Sequence, residues 1–122
     1  MDHDLPEQGQ IDVCDDNGRA CVRLRGDIDA SLRDQASAAM VELVQRGGPY
    51  VVDVAEVTFI DSSGIAFILQ LHRLAKEEGS TAILRDPPGL VRDMLDLIGI
   101  SGTIPLELTG DGGAVGLASA PA

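Results

Sequence analysis

Residues 58–65 read Thr-Phe-Ile-Asp-Ser-Ser-Gly-Ile, and they contain the most abrupt change in the hydrophobic pattern of the chain. An apolar, strand-like run ends at Ile60, four small or polar residues follow, and apolar side chains at helical spacing begin at Ile65. Hydroxyls at such a helix start lie beside unpaired backbone N–H groups and the positive end of the helix dipole, which can accommodate an added phosphate. Plain N-capping is the commoner use of Asp and Ser there, so spacing alone leaves both interpretations open.

The segments on either side of this turn alternate between helix and strand patterns. Upstream, the spacing of apolar residues predicts a helix over 31–46 and a buried strand over 50–54. Downstream, the same reasoning predicts a helix from the motif to Glu78, a strand over 81–84, a helix over 87–99 and an extended segment over 103–108.

Residues 10–26 carry a period-two alternation interrupted by Asn17-Gly18, which indicates a tight hairpin turn of the primed type. Centring the turn on these two residues predicts the register of the paired strands. The expected pairs are Ile11 with Leu24, Val13 with Val22, Asp12 with Arg23, Cys14 with Cys21, and Asp16 with Arg19. We expect the face that bears the charged pairs to be open to water, and the two cysteines to be reduced thiols.

The order of elements is therefore β, β, α, β, α, β, α, β, which predicts an α/β (α+β) fold. We expect a mixed sheet with an N-terminal hairpin, right-handed parallel crossovers and helices packed on one face. A length of 122 residues fits one domain. The folded unit is predicted over 10–108, with loose segments over 1–9 and 109–122, where glycine, proline and weak patterning prevail.

Composition excludes several classes of partner. Nine basic and twenty acidic residues give a net charge of −11, which disfavours nucleic acids and anionic lipid surfaces. The chain has no long apolar run that could insert into a membrane and no secretory signal at its start, so we expect a cytoplasmic protein. Nothing in the sequence indicates that it forms oligomers, and we expect a monomer.

A serine hydrolase is the enzyme alternative, because Ser62 or Ser63 would stand at a strand-to-helix turn. The Gly-x-Ser-x-Gly elbow is absent, and His72 lies on the same predicted helix at roughly 12–15 Å from the serines, beyond hydrogen-bond reach. The residues Asp15-Asp16-Asn17-Gly18 are typical of a turn, but they do not have the ligand spacing of an EF-hand calcium loop. We therefore expect no catalytic activity, no cofactor and no metal ion.

Four elements of the chain together resemble the STAS family, and in particular the bacterial anti-sigma factor antagonists. Residues 26–29 (Gly-Asp-Ile-Asp) are similar to the family's Gly-Glu-Leu-Asp element, with Asp in place of Glu. Residues 51–54 (Val-Val-Asp-Val) resemble its strand with a central Asp, and residues 59–65 resemble its phosphorylation motif. Leu95, Gly99 and Ile100 resemble the segment after its last helix.

The resemblance implies a partner-switching mechanism. The unphosphorylated protein would bind an anti-sigma factor that is also a serine kinase and so release a sigma factor, and phosphorylation would break that complex until a serine phosphatase restores it. Ser62 follows the motif Asp and would be the phosphoacceptor, with Ser63 as a secondary candidate. Asp61 would orient the hydroxyl or its loop, and Asp29 and Gly64 would belong to the same partner-binding surface.

The same fold has an alternative function, and the C-terminal residues differ from those of many family members. A STAS module of a lipid transporter complex or of a sensory signalling scaffold would share the fold, and the sequence separates these functions poorly. Many family members also end in an amphipathic helix, whereas residues 111–122 contain three glycines, each of which disfavours a helix interior by about 1 kcal/mol.

Overall fold

The strands and helices follow one another in the predicted order. The computed structural model describes residues 9–100 and 102–109. Within them the elements are β1 (Gln10–Asp16), β2 (Arg19–Ile28), α1 (Arg33–Arg46), β3 (Tyr50–Ile60), α2 (Ser62–Glu77), β4 (Ala82–Arg85), α3 (Gly89–Leu97) and β5 (Leu106–Glu107). The predictions for 1–8 and 110–122, including the closing helix, lie outside the described residues.

The hairpin of β1 and β2 confirms the prediction made from its turn. Asn17 and Gly18 have φ values of 53° and 90°, and a type I′ turn needs positive φ at both central residues. The strands pair antiparallel in the expected register, with Ile11 opposite Leu24 and Cys14 opposite Cys21. Both cysteines are free thiols.

The described strands form one sheet in the order β1-β2-β3-β4-β5, in which only β1 is antiparallel to its neighbour. The strands lie side by side in the same order as they occur in the chain. Because each parallel crossover is right-handed, a sheet that grows in one direction places every connecting helix on the same face. This confirms the predicted mixed sheet with its helices on one side.

The core lies between this sheet and the three helices. Its members are mostly aliphatic, with Tyr50 and Phe67 as the aromatic members, because the chain is poor in aromatic residues. Side chains that are almost fully buried come from the sheet (Val22, Leu24, Val52, Val54, Leu84) and from the helices (Leu43, Ile68, Leu71, Val91). Tyr50 is also buried, and its hydroxyl donates a 2.8 Å hydrogen bond to Glu78 at the end of α2.

The main departure from the sequence prediction is the length of β3, which continues to Ile60 instead of ending at Val54. Its second half pairs with β2 alone, up to Ile28 opposite Ile60, while β4 pairs only with residues 50–53. Only one face of this half is buried. Its sequence therefore contains polar residues, and for that reason the sequence prediction ended the strand too early. The other boundaries also move slightly, since α3 ends at Leu97 and the last strand is confined to Leu106–Glu107.

The face of the sheet that lies opposite the helices is less open than we expected. Arg85 on β4 donates two hydrogen bonds of 3.0 and 3.2 Å to the Asp16 carboxylate and one of 3.0 Å to Glu107. Arg19 also pairs with Asp16. The expectation of a water-covered face is therefore wrong in part, because this network partly buries Asp16 and Arg19, and Cys21 is only 1% exposed.

The network makes a testable contribution to acid stability. The Arg85 hydrogen bonds, and then those of Arg19, lower the pKa of Asp16 below its ordinary value of 3.8. A carboxyl group whose pKa is lower in the folded state contributes stability above its unfolded pKa and loses it as the pH falls through the folded value. We expect Arg85→Gln to lower the free energy of unfolding by about 1–2 kcal/mol at neutral pH, with a smaller loss below about pH 4.

Urea unfolding of both proteins at neutral pH and in the acid range measures this difference. Arg25→Gln is the matched control, because the Arg25–Asp12 pair is also 3.0 Å long but is more exposed. Equal effects of the two substitutions at neutral pH would contradict the assigned role of Arg85.

Two side chains of α1 reach the outer edge of β1. The Gln35 amide oxygen accepts a 2.9 Å hydrogen bond from the backbone N–H of Ile11. Arg46 donates a 3.0 Å hydrogen bond to the Cys14 carbonyl and forms a 2.8 Å ion pair with Asp15. These contacts fasten both ends of α1 to the first strand.

Candidate functional site

Asp61 caps the start of α2. Its carboxylate accepts hydrogen bonds from the backbone N–H groups of Ser63 at 2.8 Å and Gly64 at 3.3 Å. Its own N–H donates a 3.1 Å hydrogen bond to the carbonyl of Ile28, the last residue of β2. The capping interpretation of the motif is therefore confirmed, and the cap also ties the helix start to the neighbouring strand.

The two serines of the motif are the first residues of α2, and both are exposed. Because the Asp61 carboxylate already uses the N–H groups of Ser63 and Gly64, little of the helix N-terminus is left for a second anion. A phosphate on Ser62 would lie next to that carboxylate. The added charge would therefore project towards solvent or a partner and would gain less from the helix than the sequence alone suggests.

Gly64 is buried for a steric reason. A Cβ atom at this position would lie 2.5 Å from Cγ1 of Ile60 and 2.9 Å from Cγ2 of Ile28. The first turn of α2 thus packs directly on the ends of β2 and β3, and only glycine permits that approach. The glycine of the motif sets the position of the serines and offers no side chain to a partner.

Asp29 follows β2 and caps the short 3-10 turn that precedes α1. Its Oδ1 atom accepts hydrogen bonds from the backbone N–H of Ser31 at 2.9 Å and from the Ser31 hydroxyl at 2.6 Å. These bonds lower the pKa of the Asp29 carboxyl group below its ordinary value. Asp29 and Asp61 thus have the same local role at the ends of adjacent parallel strands, where α1 and α2 begin.

The residues before Asp29 explain how β2 reaches this position. The register between β2 and β3 shifts at Gly26, which has a φ of 75°, a value that glycine adopts without strain. The following residue, Asp27, accepts a 2.8 Å hydrogen bond from the Thr58 hydroxyl on β3. The Gly-Asp-Ile-Asp element therefore aligns the ends of the two strands that carry the site.

A groove of about 380 Å³ lies between the N-terminal halves of α1 and α2. Asp29, Ser63 and Gly64 line it together, so the structure brings three of the predicted site residues to one surface. Ala36, Met40 and Phe67 provide an apolar lining. We call this feature the α1–α2 groove.

Sequence reasoning missed the apolar part of this surface. Phe67 lines the α1–α2 groove, and Phe59, at the end of β3, is 49% exposed. Neither of them is among the site residues predicted from the sequence. An aromatic residue next to an Asp-Ser-Ser-Gly sequence is the signal that would have identified Phe59 as a candidate contact residue.

The capping role of Asp61 leads to a stability prediction. We expect Asp61→Ala to lower the free energy of unfolding by about 0.5–2 kcal/mol, since two backbone N–H groups lose their acceptor. Asp61→Asn retains a side-chain oxygen and should remain near the wild-type value. Chemical denaturation measures both variants, and equal stability of the alanine variant and the wild type would contradict the cap.

Other chemistry finds no support among the described residues. No group of three His, Cys, Asp or Glu side chains within 9–100 and 102–109 is arranged to hold a metal ion. His72 lies on α2 ten residues after Ser62, and neither of its ring nitrogens has a hydrogen-bond partner in that part of the chain. No described helix has the length and apolar character needed to cross a membrane.

The family profile described as "Mlab, STAS domain" matches residues 14–109. The chain is 29% identical over 99 residues to the anti-sigma F factor antagonist of Paenibacillus polymyxa, a match that covers 80% of this chain and 85% of that protein. The fold is similar to the crystal structure of an anti-sigma factor antagonist from Mycobacterium paratuberculosis, with a TM-score of 0.75, 22% identity, and coverage of 94% and 98% of the two chains.

A second similar structure is that of the anti-sigma factor antagonist SpoIIAA in its unphosphorylated form. It has a TM-score of 0.67 and 19% identity, and the match covers 94% of this chain and 99% of that one. The profile match spans most of the sequence, so the chain belongs to the STAS domain family. The family resemblance inferred from the four sequence elements is confirmed.

Proposed function

We propose that this protein is an anti-sigma factor antagonist that is switched by phosphorylation of Ser62. In its unphosphorylated form it binds an anti-sigma factor with serine kinase activity in the cytoplasm, and a sigma factor is released. The kinase then phosphorylates Ser62 and dissociates from the antagonist, and a serine phosphatase removes the phosphate. The protein itself catalyses no reaction in this cycle.

The observation that carries the proposal is the position of Ser62. Its hydroxyl is exposed at the first residue of α2, and the adjacent Asp61 carboxylate occupies the N–H groups that would otherwise receive a phosphate. The names of the similar proteins support the assignment to antagonists, and one of them is described in an unphosphorylated form.

The α1–α2 groove and Phe59 are the surface that we assign to the partner. The apolar groove begins next to the serines, so a partner docked in it would lie against the phosphoacceptor, and an added charge there would affect binding. Ser63 lines the groove beside Asp29, and Gly64 keeps the helix start close to the sheet. A phosphate at this place would have to lose water on docking while it faces Asp61, which opposes binding.

The direct test is phosphorylation by a candidate anti-sigma factor kinase. The protein is incubated with that kinase and ATP, and the peptide that contains Ser62 and Ser63 is analysed by fragmentation mass spectrometry. We expect one phosphate on Ser62, none in Ser62→Ala, and an unchanged result in Ser63→Ala. Modification of Ser63 alone, or none by a kinase that binds the protein, would contradict the proposal and favour the other STAS functions.

A further inference from the structure

Cys14 and Cys21 face each other across the β1–β2 hairpin, and the proposed function uses neither of them. They are register partners on adjacent antiparallel strands, and both are free thiols. Counting back from the two-residue turn at Asn17-Gly18, alternate pairs are hydrogen-bonded ones, and the two cysteines form such a pair. The Cα atoms of a hydrogen-bonded pair lie about 5.5 Å apart, which is within the range that a disulfide spans.

The two cysteine side chains also share one face of the sheet. The next residues along the two strands, Val13 and Val22, pack against the core. Because side chains alternate along a strand, both cysteines point to the face opposite the helices. Burial, and then the adjacent Cys14 side chain, raise the pKa of Cys21 to about 12. The two thiols are thus near enough to influence one another before any bond joins them.

The two thiols differ in their access to solvent. Cys14 is partly exposed, whereas Cys21 is only 1% exposed. An oxidant from solvent therefore reaches Cys14 first, and Cys21 can respond only through Cys14. This is the arrangement of a reactive thiol beside a resolving thiol, in which the second sulfur captures the oxidised first one before further oxidation. Proximity favours that capture although the Cys21 thiol is held protonated.

We propose that Cys14 and Cys21 form a reversible disulfide when the protein meets hydrogen peroxide. The Cys14 sulfur attacks one peroxide oxygen, the O–O bond breaks, and the products are a sulfenic acid on Cys14 and one water molecule. The Cys21 sulfur then attacks the Cys14 sulfur, and the S–O bond breaks as the S–S bond forms. The departing hydroxide takes the Cys21 proton as a second water, so the two thiols pass two electrons to one peroxide.

This redox site is separate from the proposed phosphorylation site. Cys21 pairs with Val51 near the start of β3, whereas Ser62 follows the end of that strand at Ile60. The new bond would join the outer strand β1 covalently to β2, so β1 could no longer separate from the sheet, while the start of α2 would be unchanged. The inference therefore does not rest on the proposed function.

Peptide mapping without reduction tests the proposal, because Arg19, the first tryptic site of the chain, lies between the two cysteines. The full chain is reduced, freed of reductant, treated with hydrogen peroxide, alkylated and digested. In the monomeric fraction we expect peptides 1–19 and 20–23 as one linked species, lighter than their sum by two hydrogen atoms, which dithiothreitol separates. A sulfinic acid on Cys14 with Cys21 still a thiol, links only between copies, or an unchanged thiol count would overturn the proposal.

Single variants test the order of the two steps. Cys21→Ala retains the partly exposed Cys14 thiol, so peroxide should produce a sulfenic acid that dimedone traps. Cys14→Ser retains only the buried thiol, which N-ethylmaleimide should alkylate at least about 10-fold more slowly than it alkylates Cys21→Ala. Both variants should react at similar rates in urea, where burial is lost, and this is the matched control. Equal rates in the folded proteins would overturn the assigned order.

Discussion

Replacing Ser62 with Asp is expected to weaken binding to the cognate anti-sigma factor kinase by about 100-fold or more, which corresponds to roughly 3 kcal/mol. The new carboxylate would lie beside Asp61, whose oxygen atoms already accept the N–H groups at the start of α2. It would therefore enter a docked surface without a local donor, and loss of water there is costly. A phosphate on Ser62 carries more charge and should have a larger effect.

Calorimetric titration of the purified kinase with each variant measures this effect. Ser62→Ala should bind within a few-fold of the wild type, because the alanine leaves the cap and the α1–α2 groove intact. Thr81→Glu, an added charge beyond the other end of α2, is the control for net charge and should also bind normally. Tight binding of Ser62→Asp would contradict the proposed switch, whereas weak binding of Thr81→Glu would show that net charge alone governs the complex.

Gly64→Ala is expected to destabilise the fold by about 1–3 kcal/mol, although alanine is intrinsically the better helix former by about 1 kcal/mol. The added methyl group would lie 2.5 Å from Cγ1 of Ile60 and 2.9 Å from Cγ2 of Ile28, and both atoms belong to β-branched side chains that are buried between sheet and helix. Both atoms are bonded directly to Cβ, and the close packing around these buried side chains opposes a change of rotamer, so steric overlap outweighs helix propensity.

Gly89→Ala provides the matched control for this prediction. Gly89 is also the first-turn glycine of a helix, but a Cβ atom there would meet no atom within 4 Å. Alanine should therefore leave the free energy of unfolding unchanged or raise it slightly. Urea denaturation of both variants gives the comparison, and a Gly64→Ala protein as stable as Gly89→Ala would show that the helix start can move away from the sheet.

The sequence predicted those parts of the fold that depend on local signals. Asn17-Gly18 fixed the register of the hairpin because only a few turn geometries suit two residues with positive φ. The motif Asp61-Ser62-Ser63-Gly64 located the start of α2 because capping residues act within one turn of the helix. The length of β3 was missed, since a strand that is covered on one side lacks a continuous apolar run.

The groove and the ionic network could not be predicted, because they join residues that are far apart in sequence. Arg85 meets Asp16 across 69 positions, and no local pattern brings them together. The α1–α2 groove depends on how closely two helices approach when Gly64 lets one of them settle on the sheet. The unsatisfied state of His72 is likewise visible only once every possible neighbour has a position.

The contacts of Gln35 and Arg46 with β1 also affect how copies of this protein meet one another. An outer strand with vacant backbone groups is a template onto which another chain can add a strand, and such addition leads to aggregates. Here a side-chain amide of α1 occupies the outward-facing Ile11 N–H, and the Arg46 guanidinium lies across the same edge on the Cys14 carbonyl and the Asp15 carboxylate. The strand at the opposite margin is only two residues long. Molecules crowded together in a cell therefore meet one sheet border that side chains of α1 partly cover and another that is too short for an extended ladder, and both features reduce backbone pairing between copies.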